Sequence, residues 1–238
     1  MNEYYVKKAI AYMRYHDFPG EDTTILLIHG LGCACSFDYP QVVTQQELCN
    51  HRRILVDLLG AGFSDKPLDF DYSVSAHAEY IRDFIEDLGL KSFILFGHSL
   101  GGSVAIELAK MCANKVHCLI LSEANLDSSV EGAISYEIAH FTERYFVDKG
   151  FYGPVAAYRF SQSAVNGGNP SWRNVLYGLS IRRGFIFGER SLPDKDYEEL
   201  KQHGIKVETV LQAGHSMACE NPTGLAFAIK EISRNTYK

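Results

Sequence analysis

Short apolar runs punctuate this chain, and helix-length amphipathic segments separate them. "TTILLIHG" covers 23–30, "RRILVDLLG" 52–60, "SFILFGHS" 92–99, "VHCLILSEA" 116–124, "RGFIFGE" 183–189 and "KVETVLQAGH" 206–215. Near-continuous apolar strands need cover on both faces, which is the signature of a parallel sheet sandwiched between helices. The intervening segments supply that cover. "VSAHAEYIRDFIEDLGL" (74–90) places Ala78, Ile81, Phe84, Ile85 and Leu88 at helical spacing and stops at Gly89. "GGSVAIELAKMCA" (101–113) reads as a helix, as does "NPTGLAFAIKEISRN" (221–235), whose Pro222 is acceptable in a first turn.

One stretch breaks the alternation. From about Asn125 to Arg182 the sequence is helical and aromatic and carries no convincing strand. "AISYEIAHFTERYF" sets Ile134, Ile138, Phe141 and Tyr145 on one helical face; "YGPVAAYRF" and "PSWRNVLYGLS" follow, divided by "NGGNP". An insertion between two strands is most simply a lid. The domain reading is therefore a core of residues 1–125 and 181–238 with a helical cap at 126–180.

Length and charge narrow the function classes. The chain has 238 residues, enough to bury a substantial core within one domain. Its net charge is −6, with no basic stripe, which argues against a nucleic-acid partner. No apolar window has the length to span a bilayer, so no membrane partner is expected. The first twenty residues are charged and tyrosine-rich and lack the apolar run of a secretory signal. The cysteines Cys33, Cys35, Cys49, Cys112, Cys118 and Cys219 form no C-x-x-C and read as free thiols of a cytoplasmic protein. No His, Cys and carboxylate spacing suggests a metal site. The oligomeric state, a homodimer included, stays open.

The chemistry concentrates in "FGHSLGGS". Gly97, Ser99 and Gly101 make a G-x-S-x-G pattern after an apolar run and before a helix. A tight strand-to-helix turn exposes the Ser99 hydroxyl and aims the Leu100 N–H, at a helix start, where an oxyanion would develop. A serine hydroxyl needs an adjacent base. His215, in "QAGHSM" after the last apolar run, lies where open α/β sheets assemble their sites. In "LLIHGLG", the N–H of Leu31 supplies a second oxyanion donor, and His29 reads as a structural hydrogen-bonding residue. His98 reads as a neighbour of the nucleophile. His51, His77, His117 and His203 read as surface or packed residues.

These pieces together resemble the α/β-hydrolase superfamily over nearly the whole chain. The matching segments are "HGLG" at 29–32, "DLLGAGFSDKP" at 57–67, "GHSLGG" at 97–102, "FGE" at 187–189 and "AGHSMACENP" at 213–222. The resemblance implies a mostly parallel eight-stranded sheet flanked by helices, a helical cap, and a Ser–acid–His triad with Ser99 and His215 at the matching positions. In the family the acid commonly stands three residues after the glycine of the strand matching "FIFG", which here is Ser191. A serine cannot carry the charge that orients the histidine. Glu189 and Asp194 lie on the same loop, and Asp127 is a further carboxylate near the cap. Glu123 is favoured: it ends the strand after the nucleophile helix, the place where certain haloalkane dehalogenases of this superfamily carry their acid. Glu220, five residues after His215, occupies a position where the family usually has a non-catalytic carboxylate.

Serine at 99 suits acyl transfer, so the expected activity is hydrolysis of an ester, thioester or similar acyl bond through a Ser99–His215–Glu123 triad and an acyl-enzyme, without cofactor or metal. The expected partner is a small-molecule substrate. Tyr136, Phe141, Tyr145, Phe146, Tyr152, Tyr158, Phe160, Trp172 and Tyr177 make the cap aromatic. Some of them pack it onto the body and others wall an apolar pocket. Carbon–carbon bond hydrolysis and non-catalytic ligand binding on the same fold are the alternatives.

Overall fold

The apolar runs become the central strands of one eight-stranded sheet in a computed structural model that describes residues 1–128 and 152–234. The strands are β1 (Asn2–Val6), β2 (Ala11–Phe18), β3 (Asp22–Ile28), β4 (His51–Asp57), β5 (Phe93–His98), β6 (Val116–Ser122), β7 (Arg182–Gly188) and β8 (Lys206–Val210). Their order across the sheet is β1-β2-β4-β3-β5-β6-β7-β8. The pairs β1–β2 and β2–β4 are antiparallel, and every pairing from β4 to β8 is parallel.

The lack of polar alternation in the inner strands has a direct cause. Successive residues point to opposite faces, and each face has its own core. Ile25 and Leu27 of β3 join Phe96, Ile120 and Ile186 on one side. Leu26 and Ile28 join Leu95, Leu121 and Phe185 on the other. The helix Pro222–Ser233 and the short turns Cys35–Asp38 and Pro40–Val43 cover the first face. The helices Val74–Asp87 and Ser99–Met111 cover the second. Ala78, Ile81, Phe84 and Ile85 are buried as their spacing requires, and Ser73 caps their helix by accepting the Ala76 N–H.

The hairpin β1–β2 carries no apolar run. It lies at the sheet edge, where one buried face suffices: Ala11 and Met13 are buried while Tyr12 is exposed. Charge and tyrosine on the other face mask the pattern.

Within the 126–180 insertion the described residues form two helices, Pro154–Asn166 and Trp172–Gly178. Residues 129–151, which hold Tyr136, Phe141, Tyr145 and Phe146, lie outside the described residues. Tyr152 bridges Ala61, and the Gly153 N–H donates to the Gly60 carbonyl at 2.8 Å, so the chain re-enters beside the loop after β4. Tyr152, Phe160 and Trp172 are part of the main core. Tyr177 stacks on His203 at 3.7 Å between ring centroids. Among the described residues, those cap aromatics are taken up by packing. No described helix is long and apolar enough to cross a membrane.

Trp172 ties the insertion to the body twice. Its ring is buried, and its Nε1–H donates to Glu107 on the helix Ser99–Met111 at 2.9 Å. Trp172→Ala is expected to cost about 3–5 kcal/mol of unfolding free energy in a urea melt. A loss below about 1 kcal/mol would show that the insertion does not share the cooperative core.

Candidate active site

The parallel register sets the site. Ile28 of β3 pairs with Gly97 of β5, and His98 of β5 pairs with Ser122 of β6. The next residues, Ser99 and Glu123, therefore leave adjacent strands at the same level. Both have left-handed backbones, with φ of +52° and +41°. Non-glycine residues rarely hold that conformation, at a cost on the order of 1–3 kcal/mol each, and they cluster at functional sites.

At Ser99 the turn is packed too tightly for alternatives. A Cβ on Gly101 would lie 2.0 Å from the His29 carbonyl oxygen, and one on Gly30 would lie 2.8 Å from the Ser99 Cβ. The glycines let the helix start touch the end of β3. The helix begins at Ser99 itself, so the Leu100 N–H belongs to the first turn, which has no intrahelical acceptor. Leu31 follows Gly30, the residue pressed against Ser99.

His29 is bonded through both ring nitrogens. Nε2 accepts the Leu58 N–H at 2.9 Å, so Nδ1 carries the hydrogen and donates to the Gly30 carbonyl at 2.8 Å. Burial lowers its pKa. His77 is likewise buried against the Tyr80 hydroxyl, with its pKa pushed down to about 3. Behind the site, Asp57 accepts from the Ser36 N–H at 2.9 Å, the Ser36 hydroxyl at 2.6 Å and the Phe63 N–H at 3.0 Å, joining the loops after β3 and β4.

The Glu123 carboxylate reaches His215. Its Oε2 lies 2.7 Å from His215 Nδ1, and its Oε1 accepts the Gly188 N–H at 2.8 Å. Ser191 stands where the family resemblance leads one to expect the acid. Burial alone would push the Glu123 carboxyl up; the interactions with His215, Ser191 and Gly188 outweigh it and hold the carboxyl below its ordinary value.

The other carboxylates are engaged elsewhere. Glu189 accepts the Gln212 N–H at 2.8 Å, and Asp194 accepts the Asp196 N–H at 2.8 Å. Asp127 pairs with Arg173 at 2.6 Å. Glu220 accepts the Gly214 N–H at 2.6 Å and pairs with Arg190. Arg190 also donates to the Gln212 carbonyl, and its own N–H to that of Ala213. Glu189, Arg190 and Glu220 thus pin the loop that carries His215 without touching its ring. His98 holds the same loop from the Ser99 side, 2.9 Å from its Nε2 to the His215 carbonyl oxygen. These backbone contacts leave no periodic or compositional mark in the sequence.

A carboxyl whose folded pKa is lowered stabilises the fold fully above its unfolded pKa, about 4.3 for glutamate, and the contribution is lost as pH falls through the folded value. Glu123→Gln is therefore expected to destabilise most at neutral pH, and the gap from wild type should close on acidification. Urea melts at pH 7 and at about pH 3 measure it. A gap independent of pH would contradict an ionised Glu123 in the native state.

Comparisons with known proteins bear on the fold and the family. A family model described as alpha/beta hydrolase fold matches residues 23–221. An uncharacterized protein of Mycobacterium tuberculosis is 39% identical over 114 residues, 48% of this chain and 32% of that protein. Haloalkane dehalogenase 2 of the same organism is 31% identical over 102 residues, 43% of this chain and 35% of that protein. The matched part is thus about a third of the length of these curated relatives. Among solved structures, an esterase from Exiguobacterium antarcticum superposes with a TM-score of 0.79 at 16% identity, covering 94% of this chain and 96% of that one. With the mostly parallel eight-stranded sheet and the strained strand-to-helix turn at Ser99, the match over 23–221 establishes that the chain belongs to the alpha/beta hydrolase fold family.

Proposed function

We propose that the protein is a serine hydrolase that cleaves an ester, thioester or similar acyl bond in a small, partly apolar substrate. The observation that carries the reading is the 2.7 Å bond between Glu123 and Nδ1 of His215, on the edge of the sheet where Ser99 turns out of β5. With Nδ1 held by a carboxylate, Nε2 is the ring nitrogen left to serve the serine.

In the proposed cycle, the Ser99 oxygen attacks the acyl carbon while its proton passes to His215 Nε2. Glu123 holds the imidazole in one tautomer and stabilises the imidazolium that results. The N–H groups of Leu31 and Leu100 bind the developing oxyanion. The imidazolium returns the proton to the leaving group. Water then repeats the sequence on the acyl-enzyme, delivering the acid and regenerating Ser99. None of these steps uses a metal or an organic cofactor. The 126–180 insertion, of which Tyr152 and Gly153 meet Ala61 and Gly60 after β4, serves as the cap over the acyl group.

A hydroxyl at 99 separates this chemistry from attack on a haloalkane carbon, which the superfamily performs with an aspartate. A carboxylate on the Nδ1 side of His215 supports catalysis over non-catalytic binding.

Ser99→Ala is expected to abolish cleavage of p-nitrophenyl esters and acyl-CoA thioesters, and labelling by a fluorophosphonate, while thermal melting stays near wild type. Glu123→Gln should lower kcat by roughly four powers of ten, with Glu189→Gln and Asp194→Asn far milder. Label on a serine other than Ser99, or near-normal turnover by Glu123→Gln, would overturn the assignment.

A further inference from the structure

We propose that His98 is a positioning residue for His215: its Nε2–H holds the backbone carbonyl of His215 and so fixes where the base stands relative to the serine that follows His98 in the chain. The proposal rests on the reading of His215 as the general base.

The geometry of the contact carries it. His98 is the last residue of β5, and its backbone is held against Ser122 of β6. His215 lies on a loop. A donor on the sheet therefore acts on an acceptor in a loop, at 2.9 Å. A carbonyl oxygen only accepts, so Nε2 of His98 must carry the hydrogen. Fixing the carbonyl of His215 restrains that residue's own backbone and hence the direction of its Cα–Cβ bond. Glu123 then settles the rotation and tautomer of the ring. The two contacts are complementary: one places the imidazole and the other orients it. The ring centroids of His98 and His215 lie 4.7 Å apart.

His98 suits the task because it stays neutral. Its side chain is buried, and burial first, then the neighbouring His215, push its pKa down to about 3. A neutral donor can touch the base residue without placing a second positive charge beside the imidazolium. Its Nδ1 is buried and makes no hydrogen bond among the described residues. The contact therefore depends on one ring nitrogen only, and amide side chains separate the two. Glutamine carries its amide nitrogen to about the reach of Nε2, whereas asparagine reaches only to that of Nδ1.

The test compares wild type with His98→Gln, His98→Asn and His98→Leu. It measures kcat and KM on p-nitrophenyl butyrate, the rate of fluorophosphonate labelling at Ser99, and thermal melting. His98→Leu and His98→Asn are expected to lose roughly 10- to 100-fold in kcat and in labelling rate, since a base displaced by about 1 Å costs that order, with KM changed little. His98→Gln should restore most of the rate. A role in stability alone would lower melting without this kcat-specific loss and without the split between glutamine and asparagine. If His98→Leu fails to fold, the glutamine–asparagine comparison decides. Folded leucine or asparagine variants with wild-type kcat, or a glutamine variant as slow as asparagine, would overturn the proposal while leaving the hydrolase reading intact. A wild-type protein that neither cleaves the esters nor takes label at Ser99 would overturn both.

Discussion

The parallel register of the central strands is the constraint on which everything else hangs. Because Ile28 pairs with Gly97, and His98 with Ser122, the inner strands end level with one another. Each chain that leaves that edge must turn within one or two residues, and two of the turns fall on Ser99 and Glu123. Both residues hold left-handed backbones, which they pay for through the packing around them. At Ser99 that packing is glycine against backbone, with no room for a Cβ on Gly101. The sheet thus brings a hydroxyl and a carboxylate together without either needing a flexible loop.

The acid at 123 changes the division of labour around the histidine. A carboxylate sheltered by the sheet edge is costly unless it is hydrogen-bonded. Two hydrogen bonds meet Glu123, one with His215 Nδ1 and one from the Gly188 N–H. A carboxylate at both 123 and 191 would set two like charges against one imidazole, and one of them would have to take up a proton. Meanwhile Glu189, Arg190 and Glu220 fix the loop of His215 from outside. The loop after β7 thus serves as a scaffold for the loop that carries His215.

His29, His77 and His98 are all buried, and burial lowers the pKa of each. His77 bonds the Tyr80 hydroxyl of its own helix. His29 joins Gly30 to Leu58 after β4, and His98 joins the end of β5 to the loop of His215. His215 differs in having a carboxylate on one ring nitrogen and a side chain 54% exposed.

Much of this was legible in the residues. The apolar runs at 23–30, 52–60, 92–99, 116–124, 183–189 and 206–215 predicted the six strands from β3 to β8, because burial on two faces writes itself into local sequence. Gly97, Ser99 and Gly101 marked the turn, since only a backbone constraint demands glycines at that spacing. The serine at 191, set against the family resemblance, turned attention to Glu123. The hairpin β1–β2 was hidden, because an edge strand needs only half its residues apolar. The meeting of Glu123 with His215 was decided by tertiary structure: the two residues stand 92 positions apart, and sheet order brings the end of β6 beside the loop after β8. So was the bond from His98 to the His215 carbonyl. Such contacts join residues whose identities are ordinary in themselves, and their chemistry follows from distance alone, which a one-dimensional pattern does not encode.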